Sequence, residues 1–207
     1  MSESGSGGCC RCCCSFIFTL GLTSLFMWLS LRTSNPKCSI EQFYLPALNR
    51  SLNQPNDTTL QFKLKLENTN KDKGVYYDDV NLTISEVPNG SHVIGSSVIP
   101  KFYQGHKKTA EKNGTAEIDK GVVSRAVSGN GKVVFRVDLV TKVRFKIIAW
   151  QTKRHKIKVG ADVEVNDKGT KVNDKNIKLK SSSPRNTSYC VFLGVLLNFC
   201  VFVSLNF

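Results

Sequence analysis

Three sets of residues in this chain are typed and spaced for chemistry, and each is a chemistry of attachment rather than turnover. Five cysteines crowd one arginine at Cys9, Cys10, Arg11, Cys12, Cys13 and Cys14. Thiols beside a membrane-entering segment are commonly S-acylated, so these five are the expected acylation sites. A zinc knuckle is the alternative, because Cys9 and Cys12, or Cys10 and Cys13, have its spacing; no second ligand pair occurs at a workable distance. Asn49, Asn56, Asn81, Asn89 and Asn113 each open an N-x-Ser/Thr triplet, and Asn186 opens a sixth. Such triplets are acceptors for N-glycans on the lumenal or extracellular side. Ser181, Ser182 and Ser183 are consecutive small residues ahead of a polar spacer and an uncharged tail, 189–207. That order resembles a GPI-attachment signal, in which the tail is exchanged for lipid; a second transmembrane helix is the alternative.

Catalysis has no comparable set. The histidines are His92, His106 and His155, none spaced as a metal pair. Neither a G-x-S-x-G elbow nor a phosphate-cradling glycine loop occurs. Asp78 and Asp79 are adjacent, and neighbours on a strand point to opposite faces, so the two cannot act on one bond. The expectation is a protein that is not an enzyme and takes no cofactor.

A fourth feature is a run of charge. Lys142, Arg144, Lys146, Lys153, Arg154, Lys156 and Lys158 succeed one another with no acid, and Phe145 and Trp150 are interleaved. Inside a nucleus this would suggest nucleic acid. On an extracellular domain it suggests an acidic polysaccharide or an acidic protein surface, with Lys153, Arg154, Lys156 and Lys158 as the binding residues. The alternative is a solvated strand face, partly neutralised by Asp162 and Glu164.

These groups need elements to position them. Residues 15–31 (SFIFTLGLTSLFMWLSL) carry no charge, and 12–31 as a helix would rise about 30 Å, one hydrocarbon core. Leu31 is succeeded by Arg32, Thr33, Ser34, Asn35 and Pro36, with no small-residue cleavage pattern, so a retained signal-anchor is expected rather than a signal peptide. Arg11 on one flank and Arg32 with Lys37 on the other leave the positive-inside rule undecided. The sequons orient it: 1–14 form a cytoplasmic Cys-rich stub, 15–31 a transmembrane signal-anchor, 32–180 a domain on the lumenal or extracellular face, and 181–207 the GPI signal or second helix.

The domain reads as all-β, an antiparallel sandwich after one N-terminal transmembrane helix. Leu60, Phe62, Leu64 and Leu66 alternate with Gln61, Lys63, Lys65 and Glu67, the mark of a strand with one wet face. Val80, Leu82 and Ile84 repeat the pattern, as do Val133, Phe135, Val137 and Leu139, with turn clusters at 68–74, 88–90, 129–131 and 166–169. Only 109–126 is a candidate for a short helix, against Gly114 and Gly121. A long hairpin is expected with its turn near Lys153, pairing Phe145 with Ala161, Ala149 with Ile157, Arg144 with Asp162 and Lys142 with Glu164.

From 38 to 180 there are 25 Lys and Arg against 15 Asp and Glu, so +10 of the chain's +13 belongs to the domain. This surplus predicts an acidic partner rather than a fold. Cys38 is the one cysteine of the domain, so no disulfide can form inside it. A free thiol, or a cross-link joining two copies as a homo-oligomer, are the two options.

Two further stretches stand out, NTNKDKGVYYDD (68–79) and PKFYQGHK (100–107). The tyrosines of the first are suited to bury a ring and hydrogen-bond its hydroxyl. Together with CCRCCCSFIFTLGLTSLFMWLSLR (9–32), VRFKI (143–147) and VGADVEVN (159–166), they make the chain resemble the plant NHL family, the harpin-induced and non-race-specific disease-resistance-like proteins. Thr69 stands where that family usually has proline. The resemblance implies a late-embryogenesis-abundant group 2 domain with a fibronectin-type-III-like sandwich. It also implies a plasma-membrane glycoprotein of plant defence against bacteria, acting by association with membrane-side immune proteins and by contact between membrane and cell wall. An RGD- or NGD-type adhesion tripeptide is absent.

Overall fold

Alternating burial dictates the architecture. In a computed structural model, which describes residues 6–49, 57–87, 92–128 and 133–181, a helix α1 (Ser6–Leu31) precedes eleven strands. They are β1 (Lys37–Tyr44), β2 (Thr59–Glu67), β3 (Lys73–Tyr77), β4 (Val80–Glu86), β5 (Val93–Ile99), β6 (Phe102–Gln104), β7 (Thr109–Glu117), β8 (Val133–Ile147), β9 (Trp150–Gln151), β10 (His155–Val165) and β11 (Ile177–Lys178). A 3-10 turn (Pro46–Leu48) comes after β1, and a helix α2 (Lys120–Ser128) after β7. One sheet has the order β11-β1-β2-β7. The other is built on β8, flanked on one edge by β4 and β3 and on the other by β10 and β9, with β5 and β6 outermost. All pairings are antiparallel.

The two inner faces are the apolar halves of the period-2 patterns. Leu60, Leu64 and Leu66 of β2 are fully buried against Leu82 and Ile84 of β4 and Phe135, Val137 and Leu139 of β8. Each such side chain contributes roughly 1.5–3 kcal/mol by leaving water. Between Ile40, Phe62, Leu64 and Leu82 the remaining space is too small for a water molecule. One polar residue interrupts the buried row of β8: Thr141, whose hydroxyl donates to the Asp78 carbonyl at 3.1 Å. There the partner strand is broken. Tyr77 faces Val143 and Asn81 faces Val140, so Asp78 and Asp79 form a bulge between β3 and β4.

Two expectations change. The hairpin turns at Ile148 and Ala149, with Ile147 opposite Trp150, and not near Lys153. Consequently Ala161 lies opposite Val137 rather than Phe145, Ile157 opposite Thr141 rather than Ala149, and Asp162 opposite Arg136 rather than Arg144. Nothing in residue type marks this bend, because Ile148 adopts φ +53°, a region a β-branched side chain rarely enters. The polar 152–154 is an irregular stretch inside the returning arm, pinned by Thr152, whose N–H donates to the Phe145 carbonyl at 2.9 Å and whose hydroxyl accepts the Phe145 N–H at 3.0 Å. Residues 109–126, the helix candidate, divide into edge strand β7 and most of α2. In β7 only Ala116 is buried, so its charged, weakly apolar sequence hides the strand while keeping an exposed edge unattractive to other chains. Gly114 is needed where the Phe62 ring crosses β7, with the ring's Cζ closest and its Cε2 2.8 Å from where a Cβ would stand.

Helix α1 has exposed side chains from Ser15 to Trp28, and 6–14 and 29–31 fall outside the side-chain description. Among the described residues no helix is long and apolar enough to cross a membrane. Side chains 15–28 alone would span about 21 Å.

Candidate functional site

The two conspicuous stretches fold onto each other at the end of the sandwich nearest α1. Asn68 comes directly after β2 and is buried; its Nδ2 donates to the Lys73 carbonyl at 2.8 Å and the Gly105 carbonyl at 3.0 Å. Its Oδ1 accepts the Asn70 N–H at 3.1 Å and the Asn70 Nδ2 at 2.8 Å. Gln104, also buried, donates from Nε2 to the Leu66 and Lys108 carbonyls and accepts the Tyr77 hydroxyl at 2.7 Å. Burial pushes the Tyr77 hydroxyl well above its ordinary pKa. The Tyr77 ring stacks on Phe102 with centroids 4.5 Å apart, so the expected burial with a bonded hydroxyl is found at Tyr77, while Tyr76 is half-buried.

This network takes hold of the segment that leaves α1. Asn70 exchanges two hydrogen bonds with the Ser34 backbone, each 2.8 Å. Lys73, only 4% exposed, donates from Nζ to the Arg32 carbonyl at 3.1 Å and lies 3.3 Å from Asp72. A buried ammonium is tolerated only with such partners. The C-terminal strand runs to the same end: Lys178 faces Ser39, the Leu179 N–H donates to the Cys38 carbonyl at 2.9 Å, and Ser181 is the last described residue. Chain entry and chain exit are therefore neighbours. Cys38 between them is buried and free, and burial pushes its thiol up to about 12. A cross-link between copies would require β1 to peel away first.

The basic run assembles on the outer face of the β8 sheet. Lys153, Arg154, Lys156 and Lys158 are all exposed, joined by Lys142 and Lys146. Lys156 stands directly opposite Lys142, a like-charged cross-strand pair that costs stability. Asp78 is the acid among them, 3.1 Å from Arg154 and 3.7 Å from Arg144. Asp162 instead serves Arg136 at 3.0 Å, and raises its pKa, farther along the sheet. Glu164 lies opposite Val134 and not Lys142. The expected neutralisation by Asp162 and Glu164 thus falls on the other half of the face. Beside the basic half, Tyr103, Tyr76 and Arg144 line up across β6, β3 and β8: the two rings are 4.5 Å apart and the guanidinium carbon is 5.9 Å from the Tyr76 ring. Gly74 lets Tyr103 lie on the backbone, with ring carbons 2.7 Å from where a Cβ would stand. The outer face of the other sheet is balanced, Lys63 reaching Glu111 at 2.7 Å and Glu41 at 3.5 Å. The hydrogen bond from Lys63 lowers the pKa of Glu111.

The remaining sites are distributed elsewhere. Asn81 and Asn113 are exposed on outward positions of β4 and β7, and Asn49 is half-buried beyond β1, its Nδ2 3.4 Å from the Tyr44 hydroxyl. Asn56, Asn89, Asn186, Ser182 and Ser183 lie outside the described residues. Cys9, Cys10, Cys12, Cys13 and Cys14 fall within α1 but outside the side-chain description. Among the described residues no group of His, Cys, Asp and Glu is placed to hold a metal. Residue-type reasoning misses the grip of Asn70 and Lys73 on 32–34. The available signal is two asparagines one residue apart in a turn with a lysine that the fold buries.

No family profile matches the chain. It is similar to Protein NDR1 of Arabidopsis thaliana, 51% identical over 217 residues covering 99% of this chain and 98% of that one. NDR1/HIN1-like protein 26 of the same plant is 27% identical over 70% of this chain and 71% of its own. Among solved structures, one of a late embryogenesis abundant protein covers 73% of this chain and 85% of its own, with TM-score 0.37 and 8% identity. A protein from Archaeoglobus fulgidus gives the same TM-score and identity over 65% of this chain and 97% of its own. With one relative half identical along nearly its whole length, the chain belongs to the NDR1/HIN1-like family.

Proposed function

We propose that this protein is a non-enzymatic component of plant defence against bacteria, held at the plasma membrane with its sandwich in the apoplast. In this reading α1 is the anchor, the cysteines at 9–14 carry acyl groups on the cytoplasmic side, and the stub recruits membrane-associated immune proteins. Kinship with NDR1 supports the defence role. The observation that carries the geometry is the convergence of chain entry and exit, 32–36 and 179–181, on one end of the sandwich. A domain so built can be tethered through either end or both without turning over. The late-embryogenesis-abundant group 2 kinship belongs to the same reading.

Surface labelling of leaf cells expressing the full chain, with subsequent glycosidase and phospholipase C treatment, tests the topology. A mobility shift after glycosidase is expected; unchanged mobility overturns the extracellular assignment. Release of an accessible N-terminally truncated form by phospholipase supports the GPI tail, and retention supports a second helix. Deleting 1–14 is expected to abolish partner recruitment. Intact defence output from a surface-displayed deletion would remove the stub as the contact.

A second reading, a tether for acidic cell-wall polysaccharide, is favoured by the Lys142–Lys156 pair and by the exposed Tyr103 ring, two strands from β8 on the same sheet. An acidic sugar relieves the repulsion with its carboxylate and stacks on the aromatic face. Reversing Lys153, Arg154, Lys156 and Lys158 to glutamate should eliminate pectin binding by the full chain; binding that survives sinks this reading.

A further inference from the structure

The turn between β8 and β9 exposes what the rest of the sandwich buries. Ile148 is 89% exposed and Trp150 53%, while the adjoining Ile147 is buried. Ile148 is held outward by a backbone conformation its side chain disfavours, and such strain persists where surrounding structure imposes it. The position of this tip is fixed by one pairing: Ile147 lies opposite Lys73, the residue whose ammonium grips the carbonyl of Arg32. The tip therefore stands beside the point where the chain leaves α1. Lys146 flanks it, and the same end of the sandwich exposes Arg32, Lys37, Lys71, Lys107 and Lys108 against Glu67 and Asp72.

We infer that this tip is a membrane-docking element, with Ile148 and Trp150 entering the headgroup layer of the bilayer that α1 enters and the surrounding lysines meeting lipid phosphates. Tryptophan favours the boundary between headgroups and acyl chains, where its apolar ring and polar N–H are both satisfied. Lysines whose stems lie along apolar surface keep their charge in the headgroup layer. The inference rests on the reading of α1 as the anchor. It adds a second contact, which fixes the tilt of the sandwich on the membrane instead of leaving it to swing on 32–36. The basic half of the β8 face, close to the tip, would then be presented just above the bilayer.

The chain has two tryptophans, Trp28 in α1 and Trp150 at the tip, and this separates the two questions. Full-length protein is reconstituted in phosphatidylcholine vesicles containing brominated acyl chains. In Trp28→Phe, Trp150 is expected to emit to the blue of a water-exposed indole and to be quenched by bromine near the headgroups, and adding Ile148→Asp should remove both effects. In Trp150→Phe, Trp28 should be quenched independently of Ile148. Unquenched Trp150 with quenched Trp28 overturns the docking tip and leaves the anchor standing. Quenched Trp150 with unquenched Trp28 supports the tip as a peripheral contact and removes the anchor. Neither quenched overturns both. A blue shift given by soluble polygalacturonate, with no quenching by lipid, overturns the tip in favour of a polysaccharide contact.

Discussion

The two ends of the sandwich are closed by different means. At the helix-side end, amides and an ammonium on side chains (Asn68, Asn70, Lys73, Gln104) reach carbonyls of four separate segments, including the one entering from α1. At the far end the contacts between segments run through backbone, the Leu45 N–H donating to the Gly169 carbonyl at 2.8 Å and Ala47 to that of Asp57 at 3.1 Å, while the side-chain bonds of Asn166 and Asp57 stay within their own turns. Side-chain closure ties the end to particular residue types, so its sequence is conspicuous. Backbone closure needs only the right φ and constrains residue type only where that φ is positive, as at Gly169.

The contrast is best broken at Asn68. Replacing it with alanine removes four hydrogen bonds and strands buried partners, so Asn68→Ala should cost about 4 kcal/mol and lower the melting temperature by roughly 10 °C. Calorimetry on the full chain reads this directly; a loss no larger than a surface substitution gives would show that the network is ornamental. The next effect is a pH dependence at the same end. Cys38 titrates near 12 when folded against an ordinary value of 9.0, so the folded state holds the proton more tightly. Its contribution is complete below pH 9 and falls away as pH rises towards 12, about 3 kcal/mol by pH 11. Cys38→Val should flatten that drop in alkaline denaturation curves, and the remainder should track Tyr77.

At the far end the vulnerable point is backbone. Gly169 has φ +74°, and a Cβ there would press on the Leu45 carbonyl, its carbon 3.1 Å away. Gly169→Ala should therefore cost about 2 kcal/mol in urea unfolding, less than Asn68→Ala. The smallest effect has the opposite sign. Lys156→Glu turns the like-charged pair with Lys142 into an opposite one and should stabilise the fold by about 0.5 kcal/mol, while weakening pectin retention. Destabilisation by this substitution would show that Lys156 has a structural role which its exposed position does not reveal.

Where a segment is half wet, its residues announce the strand. The alternation in β2, in residues 80–84 of β4 and in the first part of β8 is legible because one face meets the core and the other is open to water. It is illegible where that contrast is missing. β7 is an edge strand with one buried side chain, and β6 is three residues long. The hairpin register misleads for a different reason: the polar 152–154 looks like a turn, whereas the bend uses Ile148 against its own preference. That one displacement moves Asp162 to Arg136 and leaves the basic half of the face with Asp78 instead. The motif stretches are visible as unusual, but not as partners. Their meeting depends on β3 pairing with β6, a register set by the whole sheet.

The pairing of β1 with β11 has a mechanical consequence. The two strands are antiparallel neighbours, and both lead out at the same end, through 32–36 and through Leu179 and Ser181. Tension applied between those two exits would open the Cys38–Leu179, Ser39–Lys178 and Ile40–Ile177 contacts one after another, like a zip. Load applied to the body while both exits are held pulls the two strands in the same direction, and their hydrogen bonds carry no relative displacement. A sandwich held at both exits can therefore carry a load on its body without unravelling at its seam, whereas the same sandwich held by one exit and tugged by the other would come apart from its edge.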